Sequence, residues 1–409
     1  MKSNVKTILL IAFDCHPDVG SEAMVAYSWA KILQKYFDVH IITDIKNKYD
    51  LEKDGCLKNI HYCIYISEKI RTILSKLRVY NVLYKLFITK VKSSLKYEFL
   101  KDIDILHCLT PAGHYAYNNL YKLGRPVIAG PIGGMALPQN FREYETPEYK
   151  LRKLYYWLIK RNPSWIRYYE NCSNILIGTS FYLKDLPLST HSRTIEFFDT
   201  VVDTSMFKPG TEKEKNSEKA AIVYSGRLDA TKGCLLLIEA VYLLVKECNR
   251  NINLFMLGDG PEEKHINDFI QRNALEQNIH LKGRVSINEV STYLKKADIF
   301  CLPCLKESGG TSILEAMAAG LPVITTDYGG PSVSVTEECG IKIKPSNPEQ
   351  YIIDLKAALL QLIDDKELRK SMGRNARERV LKEFSYNSLD KKIKNLYDTL
   401  LHEKQNSIA

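Results

Sequence analysis

The chain is short of several things, and each absence excludes a class. No apolar run is long enough to cross a bilayer as a helix. No internal repeat and no low-complexity tract is present, and the composition is globular. The 10 cysteines are scattered and form no disulfide framework, which suggests a reducing compartment. Cys301-Leu-Pro-Cys304 has redox or metal spacing, but no second pair accompanies it and Cys301 sits in an apolar strand run; both read as buried thiols. The GK[ST] ending of a Walker loop, an HExxH pair and the signatures of nucleic-acid-binding modules are all missing. The N-terminal apolar core runs only from Ile8 to Phe13 and stops at Asp14 with no small-residue cleavage site, so it reads as a first strand rather than a signal peptide. A cytoplasmic location is expected.

What is present is ordinary globular material. A chain of 409 residues, 45% hydrophobic and 26% charged, usually makes two domains. The net charge of +9 is unevenly spread. Between Lys69 and Lys101 nine Lys/Arg face a single acid, Glu98, interleaved with Ile70, Ile73, Leu74, Leu77, Leu83, Leu86 and Phe87. A second basic and aromatic stretch runs from Lys150 to Tyr169. Such helices either lie on an anionic membrane surface or are solvated faces over a core, and both readings stay open.

Apolar strand runs alternate with helical patterns throughout. Lys6–Phe13, Val39–Asp44, Ile103–Thr110, Pro126–Gly134 and Asn174–Ser180 are strand candidates of the first half. The second half repeats the pattern: "AAIVYSGRLDATKG" and "INLFMLGDGPEE" read as strand then turn, and "IHLKGRV", "DIFCLPC", "PVITTD" and "GIKIKP" follow at strand-like intervals. Alternation of this kind implies an α/β fold with doubly wound parallel sheets. The break falls in the polar run around Pro209-Gly210. Expected domains are residues 1–200, residues 201–385 and a last helical stretch, 386–409, free to pack back on the first domain. Two Rossmann-like domains facing one another would make a cleft at the strand carboxyl ends, where small-molecule sites tend to fall.

One stretch raises a chemical question. In "KESGGTSILEAMAAGLPVITTD", Glu307 and Glu315 stand either side of the Gly309-Gly310-Thr311-Ser312 turn, and strand, turn, helix and strand follow one another as a βαβ unit. The free N–H groups of a helix start favour phosphate. Carboxylates beside them would repel phosphate and more reasonably accept hydrogen bonds from neighbouring hydroxyls. A nucleotide sugar, with phosphates in the middle and hydroxyls on both sides, fits. The alternative is that both acids are solvated surface charges, the usual fate of Glu.

Other residues fall at strand ends. Arg227 and Lys232 in "SGRLDATKG" are two cations suited to a diphosphate, Arg by a planar fork and Lys as a point charge. "LGDGPEE" carries Gly258 and Gly260 but lacks the third glycine of a dinucleotide fingerprint, so it reads as a tight turn beside a base or ribose. Asp102-Ile103-Asp104 is the one D-x-D; it precedes its strand and reads as a strand-start pair, not a metal site, so no metal is expected. His16, His107 and His114 lie in first-half loops or strand ends, where a lone histidine is more often merely polar than catalytic.

Taken together, the strand–Gly-Arg–x4–Lys turn, "GDGP", "GRV" and the Glu-x7-Glu spacing around "GGTS" before "LEAMAAGLPVI" resemble glycosyltransferase family 4, of GT-B fold. The resemblance covers about Ala221 to Pro345 through four motifs in order; "PDVGSEA", "GPIGG" and "VVD…FKP" match more loosely and resemble members that build bacterial surface polysaccharides such as lipopolysaccharide and capsule. It implies metal-free, retaining transfer of a hexosyl group from a UDP- or GDP-sugar to a lipid-linked or oligosaccharide acceptor. The implied setting is the cytoplasmic face of the membrane; peripheral contact of the basic stretches with anionic lipid stays open, and no nucleic-acid partner is expected.

Carried over, Arg227 and Lys232 would hold the diphosphate, and Glu307 would face donor sugar hydroxyls. Gly309, Gly310, Thr311 and Ser312 would offer N–H groups to sugar and phosphate, while Glu315 would accept from the ribose. Arg284, Val285, Gly258 and Gly260 would lie near the base, and Gly20 and Ser21 would approach the diphosphate from the first domain. One departure stands out. Many family members carry a histidine where this chain has Pro131-Ile132. Either His107 at the neighbouring strand end substitutes as catalytic base, or no protein base is needed because the leaving phosphate takes the acceptor's proton. Two other readings remain beside this one: a relative working as phosphorylase or nucleotide-sugar epimerase, and a non-catalytic nucleotide-sugar binding subunit.

Overall fold

Apolar strand runs and helices alternate along the chain and assemble into two parallel sheets. The computed structural model describes residues 5–17, 21–76, 80–95, 97–113, 116–134, 137–145, 147–211 and 219–406. The chain divides into two units. The first comprises Met1–Gly134, Arg152–Asp199 and Asp390–Ala409; the second comprises Met135–Leu151 and Thr200–Leu389. The division is therefore not a single cut near residue 200. Met135–Leu151 counts with the second unit, and residues from Asp390 onward count with the first.

The first unit holds β1 (Thr7–Ala12), β2 (Asp38–Asp44), β3 (Ile60–Cys63), β4 (Ile105–Thr110), β5 (Val127–Ile132), β6 (Asn174–Ile177) and β7 (Thr194–Glu196), in the order β3-β2-β1-β4-β5-β6-β7. Strands covered on both faces need apolar side chains at nearly every position. The run TILLIA meets that need, with Ile8, Leu9, Leu10 and Ile11 all fully buried. β1 pairs in parallel with β2 on one side and β4 on the other, so the order reverses between β1 and β4. β4 starts at Ile105 because Asp104 is used to anchor it: its carboxylate accepts from Thr7 N at 3.0 Å and from Lys6 Nζ at 3.3 Å. Tyr397, from the helix Tyr386–Asn406, reaches this core beside Trp29 and His107.

The basic stretch from Lys69 onward forms the helices Glu68–Lys76 and Tyr80–Ser94. In the second of these Leu83, Tyr84, Phe87, Ile88 and Val91 are buried, while Lys85 and Lys90 are exposed. Arg71 is not a free surface charge, since it reaches the fully buried Asp44 at 2.6 Å. Leu77 lies outside the described residues.

The second unit holds β8 (Ala220–Ser225), β9 (Ile252–Leu257), β10 (Ile279–Leu281), β11 (Ile299–Leu302), β12 (Val323–Thr326) and β13 (Gly340–Ile343), in the order β10-β9-β8-β11-β12-β13. All the pairings are parallel. The strand order reverses between β8 and β11, and open parallel sheets bind ligands at the carboxyl ends of strands flanking such a reversal. Both sheets thus conform to a two-domain Rossmann-like architecture.

Candidate active site

The loops after β8 and β11 flank the reversal in the second sheet, and they are tied together. Asp229 organises the first loop: its carboxylate accepts from Thr231 N at 2.9 Å and from the Thr231 hydroxyl at 2.7 Å, closing the short turn Ala230–Lys232. The Thr231 carbonyl then accepts from Leu305 N, 2.9 Å away in the second loop. That bond brings Lys232 Nζ to 2.5 Å from Glu307 Oε2, with the Lys306 carbonyl at 3.4 Å.

The side chains of this pair are only 26% and 19% exposed, so little water screens them. Burial alone would lower the Lys232 pKa, but the attraction of Glu307 leaves it raised above the ordinary lysine value. For Glu307, burial would raise the pKa; Lys232 and the N–H groups of the turn outweigh it and hold the carboxyl below its usual value. Both groups are therefore charged at neutral pH. Glu307 Oε1 accepts from Ser308 N at 3.1 Å and from Gly309 N at 3.4 Å, and the Glu307 carbonyl accepts from Gly330 N at 3.0 Å.

The turn itself explains its glycines. Gly310 sits at φ +66°, a left-handed conformation that glycine adopts without strain, and begins the helix Thr311–Ala318. A Cβ at Gly309 would collide with the Thr200 hydroxyl. Beyond the turn, Thr311 is exposed, Ser312 is half-buried, and the first N–H groups of the helix have no intrahelical acceptor. Glu315, on the next turn, is half-buried and has no hydrogen bond or ion pair among the described residues. Burial alone pushes its carboxyl up to about 7.

Arg227 is exposed, and its guanidinium likewise has no hydrogen bond or ion pair among the described residues. Its loop is bonded by backbone to the next two. Gly226 N donates to the Leu257 carbonyl at 3.0 Å, Leu228 N to the Asp259 carbonyl at 2.8 Å, and Gly258 N to the Gly283 carbonyl at 2.8 Å. Gly258, Gly260, exposed Arg284 and half-buried Val285 thus belong to one set of loops with Arg227.

The remaining expectations fall in the first unit. Ser21 is the first residue of the helix Ser21–Leu33, whereas Gly20 and His114 lie outside the described residues. His16 Nε2 is 3.1 Å from Asp50. His107 requires a correction. It is fully buried, with Nδ1 2.5 Å from the Tyr397 hydroxyl and Nε2 2.6 Å from the Gly130 carbonyl. Burial pushes its pKa down to about 4, with the Gly130 carbonyl acting the other way. A ring with both nitrogens engaged and no exposed atom is a packing group, not a base awaiting an acceptor.

Three contributors were not legible in sequence. Asp229, inside the quoted "SGRLDATKG", caps the turn that delivers Lys232; an Asp two residues before a Thr was the available signal. Thr200 and Tyr149 act from far along the chain. Tyr149 places its ring 4.8 Å under Lys306 Nζ, and nothing in the spacing announces it.

Structural comparison places the chain in the GT-B fold. A structure of Anabaena HepE in complex with UDP and glucose superposes with a TM-score of 0.61 at 15% identity, over 96% of this chain and all of that one, 100%. Residues 210–379, which lie within the second unit, match the family described as Glycosyl transferases group 1. An uncharacterized glycosyltransferase of Methanocaldococcus jannaschii is 30% identical over 236 residues, 57% of this chain and 62% of its own length. A GDP-mannose-dependent monoacylated alpha-(1-6)-phosphatidylinositol monomannoside mannosyltransferase of Corynebacterium glutamicum is 27% identical over 219 residues, 50% of this chain and 56% of its own. The chain thus spans somewhat over half the length of these relatives. Among the described residues, no helix is long and apolar enough to cross a membrane.

Proposed function

We propose that this protein is a retaining, metal-independent glycosyltransferase. It takes a hexosyl group from a UDP- or GDP-sugar and passes it to a glycan or lipid-linked acceptor in cell-surface polysaccharide synthesis, at the cytoplasmic membrane face. The observation that carries the reading is the uneven pairing of charge at the reversal in the second sheet. Lys232 and Glu307 are locked together, while Arg227 and Glu315 are left unpartnered among the described residues.

The chemistry follows from that arrangement. Arg227 and Lys232 supply two positive charges for a diphosphate, and those charges stabilise the nucleoside diphosphate as it departs. Glu307 Oε1 already accepts from Ser308 N and Gly309 N, whereas Oε2, held by Lys232, keeps a second lone pair that a sugar hydroxyl would use. Glu315, once ionised, accepts from ribose hydroxyls. The leaving phosphate removes the acceptor's proton, so no protein base is required. Relatives that are GDP-mannose-dependent, or solved with UDP and glucose, favour the same donor chemistry.

The test is a ligand-induced thermal shift with UDP-, GDP-, ADP- and dTDP-sugars in EDTA, followed by assignment of the product's anomeric configuration by NMR. At a hundredfold excess over Kd a ligand stabilises the fold by about 2.7 kcal/mol, which is readily seen. A shift with one UDP- or GDP-sugar and an α product from an α donor is expected. An inverted product, an isomerised donor formed without acceptor, or a shift that needs divalent metal would each overturn the reading.

A further inference from the structure

The helix Pro147–Lys160 carries large apolar side chains on its outer side. Its inner side is already occupied: Ile159 is buried, and the Tyr155 hydroxyl lies 2.5 Å from Asn81 Nδ2 of the helix Tyr80–Ser94. Outward, Leu154, Trp157 and Leu158 are 55%, 50% and 54% exposed. Surface helices ordinarily turn polar residues toward water, so three such side chains on adjoining positions need a partner. Trp157 touches Arg161, whose guanidinium lies 3.5 Å from the ring centroid. The helix tied to it through Asn81 also exposes Val82 and Leu86, beside exposed Lys85 and Lys90.

Charge decides the kind of partner. Residues 152–161 and residues 80–94 contain no Asp or Glu, while Lys153, Arg161, Lys85 and Lys90 are exposed. Lys160 is paired with Asp185. A second copy of this chain would bring the same positive face against itself in a twofold contact, which repulsion disfavours. An anionic lipid surface supplies both an apolar layer and phosphates, and a tryptophan with one wet edge suits that boundary.

We propose that this face docks on an anionic bilayer. Leu154, Trp157 and Leu158 enter the boundary between headgroups and acyl chains, and Lys153, Arg161, Lys85 and Lys90 meet the lipid phosphates. The inference rests on the functional reading only in that a lipid-linked acceptor would lie in the same bilayer; the exposed ridge is a separate observation.

The chain reports on this directly. Of its 3 tryptophans, Trp29 and Trp165 are 0% and 3% exposed, so emission that responds to lipid comes from Trp157. The full-length protein is mixed with vesicles of phosphatidylcholine, with or without phosphatidylglycerol. Expected results are cosedimentation and a blue shift with phosphatidylglycerol vesicles alone, and quenching by lipids brominated in the acyl chain. Trp157→Phe should keep binding and lose the shift. Leu154→Gln with Leu158→Gln should bind at least about tenfold more weakly while unfolding at an unchanged temperature. Absent cosedimentation, equal binding to neutral vesicles, or binding with no change at Trp157 would overturn the proposal. So would a double variant that turns a dimer into a monomer in lipid-free buffer, which would make the ridge a self-interface. Donor-induced thermal shifts on the same samples keep the two ideas separable, since either can fail while the other stands.

Discussion

The two sheets offer a comparison made by the chain itself: one topology, with charge handled in opposite ways at the reversal of strand order. After β1 and β4 the described charged side chains Asp14, His16 and Glu22 each have a partner. Asp14 pairs with Lys46, His16 meets Asp50 at 3.1 Å, and the Glu22 carboxylate accepts from the Ala112 N–H. Thr110 stitches the two ends together, its hydroxyl donating to the Asp14 carbonyl at 3.0 Å and accepting from Asp14 N at 3.2 Å. After β8 and β11 a backbone bond, Leu305 N to the Thr231 carbonyl, and the Lys232–Glu307 pair do the stitching, while among the described residues the side chains of Arg227 and Glu315 have no hydrogen bond or ion pair. A shared fold therefore does not imply shared function, and the proposed donor site falls where side-chain charge is left over.

The strongest way to break that contrast is at the closed pair. Lys232→Ala leaves the Glu307 carboxylate partly buried without its cation and removes one of two phosphate charges. Donor affinity should fall roughly a hundredfold or more by calorimetry, consistent with about 3 kcal/mol for loss of a partner from a buried pair. Glu307→Ala should instead abolish transfer while largely sparing nucleotide affinity. Turnover near wild type in Glu307→Ala would remove the glycine turn from the reaction.

A smaller effect sharpens the backbone side of the comparison. Gly309→Ala pushes a methyl group into the Thr200 hydroxyl. Overpacking of this kind costs about 1–3 kcal/mol. Thr200→Ala, which clears the space, should recover most of the loss in a double-mutant cycle read by denaturant unfolding. Additive losses would mean that the turn is set by something other than this contact.

Legibility in the sequence followed burial. Strands such as TILLIA, apolar at nearly every position, announced themselves within a residue of their ends. Two strands did not: Ile60–Cys63 and Thr194–Glu196 are short and at the sheet edges, with partly exposed positions that blur their patterns. The same distinction holds for the site. Residues within one loop, Arg227 with Lys232 or Glu307 with Gly309, could be grouped by spacing alone. Thr200 and Tyr149 could not, because they meet the loops only after the chain has folded. Nor could the burial of His107, since its partner Tyr397 is 290 residues away.

Glu315 makes the open half of the comparison measurable against pH. Burial raises its carboxyl to about 7, so it is largely protonated in mildly acidic solution. A carboxylate that must accept ribose hydroxyls binds best when ionised, so nucleotide affinity should rise as pH rises through about 7, by up to tenfold per unit below it. Stability of the free protein should move the other way. The folded state keeps a proton that the unfolded chain has lost between 4.5 and about 7, so this group's contribution falls as pH rises through that window. Glu315→Gln should flatten both profiles, and an unaltered affinity profile would detach Glu315 from the nucleotide.

His107 supplies the smallest effect on binding. Its pKa is pushed down to about 4, below the ordinary 6.5, so the unfolded chain takes up a proton that the folded core refuses. Its contribution is intact above about 6.5 and fades as pH falls toward 4. His107→Gln breaks at least one of the bonds to Tyr397 and Gly130 and should cost about 1–3 kcal/mol. It should also lose that acid-side slope and leave nucleotide affinity unchanged. A general base would behave otherwise: kcat would drop by roughly 10²–10⁴ with stability little altered, and a limb of the pH–rate profile would disappear. Measuring kcat and unfolding together on this one variant separates a ring that holds the first sheet to the final helix from a ring that handles a proton. The enclosure of both nitrogens favours the first outcome.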